Sequence, residues 1–228
     1  MKTGGCGMWA ELKNEWAYKD FHFRRITEEK YRHLFLLLFW VVFLPCYFII
    51  QRVAVAKGYT LVHCALDDMI PFCEIFIIPY IVWYPFVALM IVYTVCFDIP
   101  AFVKLSKYLM ITLVISVVIY YIWPTGQDMW PDPFPRENIF TWATGVIYSL
   151  DVNTNICPSE HVQSAFGVAF AAMHTKRLSG KKWMTFFWTE TILVVFAVVF
   201  VKQHSVIDVA AAVPVILIGY FFAFRGRN

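Results

Sequence analysis

Residues 183–224 read WMTFFWTETILVVFAVVFV, then KQH, then SVIDVAAAVPVILIGYFFAF. These are two apolar runs of about 20 residues, each able to cross a hydrocarbon core of about 30 Å as an α-helix. The apolar residues are continuous rather than striped at helical spacing, so lipid suits their flanks better than a water-facing surface. A helix also satisfies its own backbone hydrogen bonds, which hydrocarbon requires. Working outward, similar runs occupy 34–53, 71–97, 105–123 and 158–173. The sequence therefore predicts an all-α polytopic membrane helix bundle with six transmembrane helices over 34–228, preceded by a cytoplasmic or interfacial segment, 1–33.

Composition points the same way. Hydrophobic residues make up 60% of the 228 and charged residues 15%, against roughly 45–50% and 25% in soluble domains. The segment 1–33 mixes Lys, Arg and Glu with Trp9, Trp16, Tyr18, Phe21 and Phe23. That pattern suits a short helix at the headgroup level or a solvated tail. Roughly 33 polar and charged residues before the first apolar run are too many for an ordinary signal peptide, so the first helix is expected to stay as an anchor.

The net charge of +3 does not suggest nucleic acid, because Lys and Arg fall in the short connections and act as topology signals. One side collects Lys2, Lys13, Lys19, Arg24, Arg25, Lys30 and Arg32, then Lys104 and Lys107, Lys176, Arg177, Lys181 and Lys182, and Arg225 and Arg227. The other holds only Arg52, Lys57, Arg136 and Lys202 beside several acids. Both termini are expected in the cytoplasm, in a plasma membrane, with the long Pro-rich connection 124–157 outside. A connection of that length usually carries function. The six cysteines are scattered with no C-x-x-C pair, so neither a disulfide framework nor a metal site is expected.

The chemistry-bearing residues stand at two outer helix mouths. One reads Cys157-Pro158-Ser159-Glu160-His161 and the other Lys202-Gln203-His204-Ser205-Val206-Ile207-Asp208. Proline suits the first helical position, and the free N–H groups of Ser159, Glu160 and His161 would then form an anion site on the helix dipole. His204 and Asp208 are four apart, so on a helix they share a face and the carboxylate can hold the imidazole tautomer. A P-S-x-H string arises by chance in about 1% of chains of this composition, so it carries more weight than H-x-x-x-D alone. Asp208 also stands about a turn inside an apolar run, where an acid is costly and by default functional.

Pro158-Ser159-x-His161 and His204-x-x-x-Asp208 together resemble the second and third motifs of the type 2 phosphatidic acid phosphatase superfamily, which includes the vanadium haloperoxidases. The resemblance implies a helix bundle around a shared pocket, with His204 attacking phosphorus, Asp208 orienting it and His161 protonating the leaving oxygen. Where that family has Ser-Arg ahead of the histidine, this chain has Ala197 and Val198, and its Lys and Arg near 123–131 are missing. In this respect the chain is more similar to the inositol phosphorylceramide and sphingomyelin synthase branch. So is the stretch Leu66-Asp67-Asp68-Met69-Ile70-Pro71-Phe72.

A phosphoryl transition state needs positive charge and donors, so the outer Arg136 and Lys202, with Ser159, are the expected phosphate-binding residues. Glu160 is expected to face away from the site, since adjacent helical residues diverge by about 100°. Glu190, within the fifth run, is expected to be a packing residue. No cofactor is expected. The expected function is a lipid-phosphate phosphatase working through a phosphohistidine on a phospholipid or isoprenoid phosphate. The alternatives are a head-group transferase and a non-catalytic carrier with a degenerate site.

Overall fold

The computed structural model describes residues 16–56 and 58–225. The expectations for 1–15, Lys57 and Arg227 lie outside the described residues. From Trp16 to Leu37 the chain forms turns and two 3-10 segments, Phe23–Arg25 and Glu29–Leu37, rather than one interfacial helix. Eight α-helices follow among the described residues: α1 Leu38–Ala56, α2 Ala65–Met69, α3 Ile77–Phe97, α4 Ile99–Ile122, α5 Ile139–Leu150, α6 Glu160–Met173, α7 Lys181–Phe200 and α8 Val206–Phe224.

The helix starts follow local chemistry. Asp98 caps α4 by accepting from the Ala101 N–H, and Asn138 caps α5 by accepting from Phe140 and Thr141. Ser205 caps α8, accepting from the Ile207 N–H while Asp208 reaches back to the Ser205 N–H, a reciprocal capping box. Two short strands, β1 Thr60–Leu61 and β2 Thr125–Gly126, pair in parallel, and Gly126 also bridges Thr154. These loops are thereby tied together at one end of the bundle.

Among the described residues five segments are long and apolar enough to cross a membrane: Glu29–Val53, Glu74–Phe97, Ile99–Ile122, Lys181–Phe200 and Val206–Phe224. Six were expected. The difference is α6, which has 14 residues and so spans about 21 Å. It is also the central helix, packed against α3, α4, α7 and α8, with Val162, Ala165, Val168, Ala169, Ala171 and Ala172 all essentially inaccessible.

Small residues let the neighbours approach. A Cβ on Gly167 of α6 would lie 2.5 Å from the Tyr108 ring of α4, and one on Gly219 of α8 would lie 2.9 Å from the same ring. The Tyr108 hydroxyl donates to the Gln163 carbonyl at 2.8 Å. Between membrane helices apolar burial gives little driving force, so such close fits and interhelical hydrogen bonds hold the bundle. Its outer surface stays apolar, with Val41, Ile49, Leu89, Leu217 and Phe222 all exposed. Helix α1 packs on α4, and an apolar cavity lies between α1, α3 and α4.

Candidate functional site

The first turn of α6 and the start of α8 meet at the end of the bundle where the β1–β2 loops lie. The Ser159 N–H donates to the Asp208 carbonyl at 3.1 Å, and the Tyr120 hydroxyl of α4 donates to the Pro158 carbonyl at 2.7 Å. The turn before α8 is held by N–H groups of Gln203 and His204, both donating to the Val198 carbonyl at 2.9 Å. Lys202 adopts φ +55° there.

This backbone brings together three of the residues expected from sequence. His204 Nδ1 lies 3.2 Å from Asp208 Oδ2, and His204 Nε2 lies 3.3 Å from His161 Nδ1. With Asp208 ionised, one proton arrangement satisfies both bonds: His204 donates from Nδ1 to the carboxylate, and its Nε2 accepts from the His161 N–H. Asp208 is fully buried and His204 nearly so. The carboxylate is fixed further by the Ser205 N–H at 2.9 Å. The His161 ring rests against Trp83 and Tyr80, with centroids 4.2 and 4.9 Å away. The Trp83 indole is itself held by donating to the Ser164 hydroxyl at 2.9 Å.

The other three expected residues are placed elsewhere. Arg136 forms a bidentate pair with Glu74, at 2.8 and 2.7 Å, and Asn138 donates to the same carboxylate at 3.0 Å. The Arg136 guanidinium faces a hollow of about 590 Å³ beside α5, which includes neither histidine. Lys202 donates to the Asp67 carbonyl at 2.7 Å and to the Ile70 carbonyl, satisfying backbone groups at the end of α2. Burial pushes the Lys202 ammonium below its ordinary range, against the pull of Asp67 and Asp68. Ser159 is fully buried at the N-cap position of α6, where its hydroxyl makes no capping hydrogen bond, and it is not a wall of the cavity. The helix starts at Glu160 rather than Pro158, and the Ser159 N–H is already occupied by Asp208.

Beside the two histidines lies a polar cavity of about 40 Å³, room for about three water molecules. Its walls include Asp151, Asn155, Glu160 and Gln203. Glu160 therefore faces inward, contrary to expectation, because the cavity wraps around the first turn of α6. Glu190 is buried and does not line this cavity. A second, apolar cavity of about 680 Å³ runs from Leu37 and Trp40 past Phe43, Val87 and Leu113 to His161. Tyr47, Asp151, Glu160 and His161 belong to both, so the two cavities share a wall that includes His161.

Sequence reasoning also missed the residue that fixes the His204 turn. Asp67, 2% exposed, accepts from the Ser205 hydroxyl at 2.6 Å, the Val206 N–H at 2.8 Å and the Cys64 N–H at 2.8 Å. Burial pushes its carboxyl up, but the hydrogen bonds from Ser205, Val206 and Cys64 together outweigh this and hold it below the usual carboxylate range. The signal was the Leu66-Asp67-Asp68 stretch, noted for resemblance alone.

Cys157 stands next to the site, but burial, followed by the neighbouring Asp208 charge, pushes its thiol up to about 12. It is protonated and a poor nucleophile. Among the described residues no group of three or more His, Cys, Asp or Glu side chains is placed to hold a metal ion. No protein-family model, curated protein or solved structure matches the chain.

Proposed function

We propose that this chain is a membrane enzyme that hydrolyses lipid phosphates through a phosphohistidine on His204. The observation that carries this reading is the hydrogen-bonded series Asp208, His204, His161, whose far end meets an apolar cavity between helices. Asp208 keeps the His204 proton on Nδ1, which leaves a lone pair on Nε2 for attack. On binding, the phosphoryl group takes the place of the His161 hydrogen bond at that nitrogen. Protonated His161 then gives its proton to the departing alkoxide, and in the second half takes one from the acceptor. The apolar cavity holds the lipid chain while the phosphate lies among polar walls.

In this reading α6 crosses the membrane interior as a sixth, sheltered span. The histidines face the exterior of a plasma membrane and both termini face the cytoplasm, following the Lys and Arg distribution. Resemblance to the phosphatidic acid phosphatase superfamily is part of the proposal. A second reading, transfer of the head group to a lipid alcohol, is favoured by the apolar cavity that reaches His161, because an acceptor lipid approaches the phosphohistidine from the same apolar side.

Purified protein in detergent, given phosphatidic acid, an isoprenoid diphosphate, or a phospholipid with diacylglycerol, tests both readings. Released phosphate and new lipids are measured in parallel for wild type and His204→Ala. Products that require His204 support the proposal; identical products from both proteins for every substrate refute it.

A further inference from the structure

The polar cavity carries two buried carboxamides with hydrogen-bonding capacity to spare. Asn155 is 5% exposed and Gln203 2%. Among the described residues neither amide of Asn155, Nδ2 nor Oδ1, has a partner, and Gln203 Nε2 has none. Folded proteins leave few buried side chains in that condition, and these two line the same small cavity as His204. Their backbones are firmly held. Asn155 sits at φ +55° with its N–H on the Thr125 carbonyl, and Gln203 is bonded to the Val198 carbonyl. Donors fixed in advance around a reacting centre are what a phosphoryl group requires.

The charge around them is unusual for a phosphate site. None of the described residues lining the cavity is Lys or Arg, whereas Asp151 and Glu160 are carboxylic acids. Asp151 accepts from the Tyr80 hydroxyl and the Val152 N–H, both at 2.9 Å. The Arg136 and Lys202 side chains are engaged by Glu74 and by backbone carbonyls. A phosphomonoester dianion would bring two negative charges here against the single positive charge of protonated His161, beside two carboxylic acids. A phosphodiester brings one, and neutral amide donors suffice for its two free oxygens.

We propose that Asn155 and Gln203 donate their side-chain N–H groups to the phosphoryl oxygens in place of cationic side chains, and that the site takes lipid phosphodiesters in preference to phosphomonoesters. The proposal rests on the assignment of His204 as nucleophile. The bond formed is His204 Nε2 to phosphorus, and the bond broken is phosphorus to the diacylglycerol oxygen, which receives the His161 proton. Water or an alcohol then forms the new phosphorus–oxygen bond, returns a proton to His161 and releases His204. The amides touch only the non-bridging oxygens throughout.

The test compares phosphatidic acid with its methyl ester, phosphatidylmethanol, at identical acyl chains in mixed micelles. Both release diacylglycerol, so one assay serves, and the two differ by one methyl group and one charge. The expected result is a kcat/KM at least about 10-fold higher for the methyl ester. Asn155→Ala and Gln203→Ala should each lower it by about 10²- to 10³-fold, Gln203→Ala with unchanged thermal melting and Asn155→Ala with a somewhat lower one, because alanine is strained at φ +55°. Gln203→Lys, which supplies a cation, should shift the preference back towards phosphatidic acid by about 10-fold. Preference of wild type for phosphatidic acid overturns this proposal and leaves His204 as nucleophile. Diacylglycerol release that does not depend on His204, or no release at all, overturns both.

Discussion

Asp67→Asn tests how much of the site is held from outside its own helices. In the wild type one buried carboxylate accepts three hydrogen bonds, from Ser205, Val206 and Cys64. Hydrogen bonds to a charged acceptor contribute about 1.5–3 kcal/mol each, and a buried donor left unpaired costs about 1–3 kcal/mol. An amide keeps one acceptor oxygen and turns an N–H towards donors, so one to two of the three bonds are lost, a destabilisation of about 2–4 kcal/mol. For a chain of this length each kcal/mol moves the melting temperature by about 2–4 °C, so melting followed by circular dichroism in detergent should fall by about 4–16 °C.

The pH dependence has a definite sign. Because the folded Asp67 carboxyl is held below its unfolded value of about 3.9, its contribution is complete above about pH 4 and is lost as pH falls through the folded value. The difference in melting temperature between wild type and Asp67→Asn should therefore be constant above that pH and shrink below it. Turnover should fall as well, since Ser205 is next to His204. An unchanged melting temperature with unchanged kcat would refute the role given to Asp67.

Further outcomes follow from the same geometry. Asp208→Asn keeps an amide oxygen for the His204 Nδ1–H and the Ser205 N–H, which share Asp208 Oδ2, but removes the negative charge that supports His204 as it becomes positively charged on attack. As a result kcat should drop by about 10²- to 10³-fold with the fold kept, as checked by gel filtration and melting. Val87→Trp narrows the apolar cavity where Val87 lines it. Turnover of long-chain lipids should fall by about 10-fold, while that of a chainless phosphate ester of the same charge stays unchanged in a parallel assay. Arg136→Ala should lower the melting temperature, because Glu74 loses its bidentate partner, yet leave kcat/KM within about 2-fold, since the guanidinium does not face the histidines.

The bundle was legible because membrane helices announce themselves in continuous apolar runs, and a four-residue spacing puts His204 and Asp208 on one face whatever surrounds them. The burial of α6 was less visible, though Ala165, Gly167, Ala169, Ala171 and Ala172 are the small residues a helix needs to pack inside a membrane bundle. Arg136 and Lys202 were misplaced for a reason that sequence conceals. Their partners lie 62 and 135 positions away, and a charge count cannot tell an engaged cation from a free one. Glu160 was expected to turn away by helical geometry, but the cavity curves round the end of the helix, so both first-turn side chains reach it. Asn155 belongs to no spacing pattern, and only the folding of its loop sets it at the same cavity as His204. Gln203 is adjacent to His204 in the sequence, but its burial in the same cavity is not legible there.

The most direct measurement is of the intermediate itself. Wild-type protein quenched during turnover of a lipid substrate, digested and analysed by mass spectrometry should carry an acid-labile phosphorus adduct on the peptide containing His204, lost in His204→Ala. Product formation with the adduct on any other residue, or with His204 unmodified at every quench time, would contradict the account.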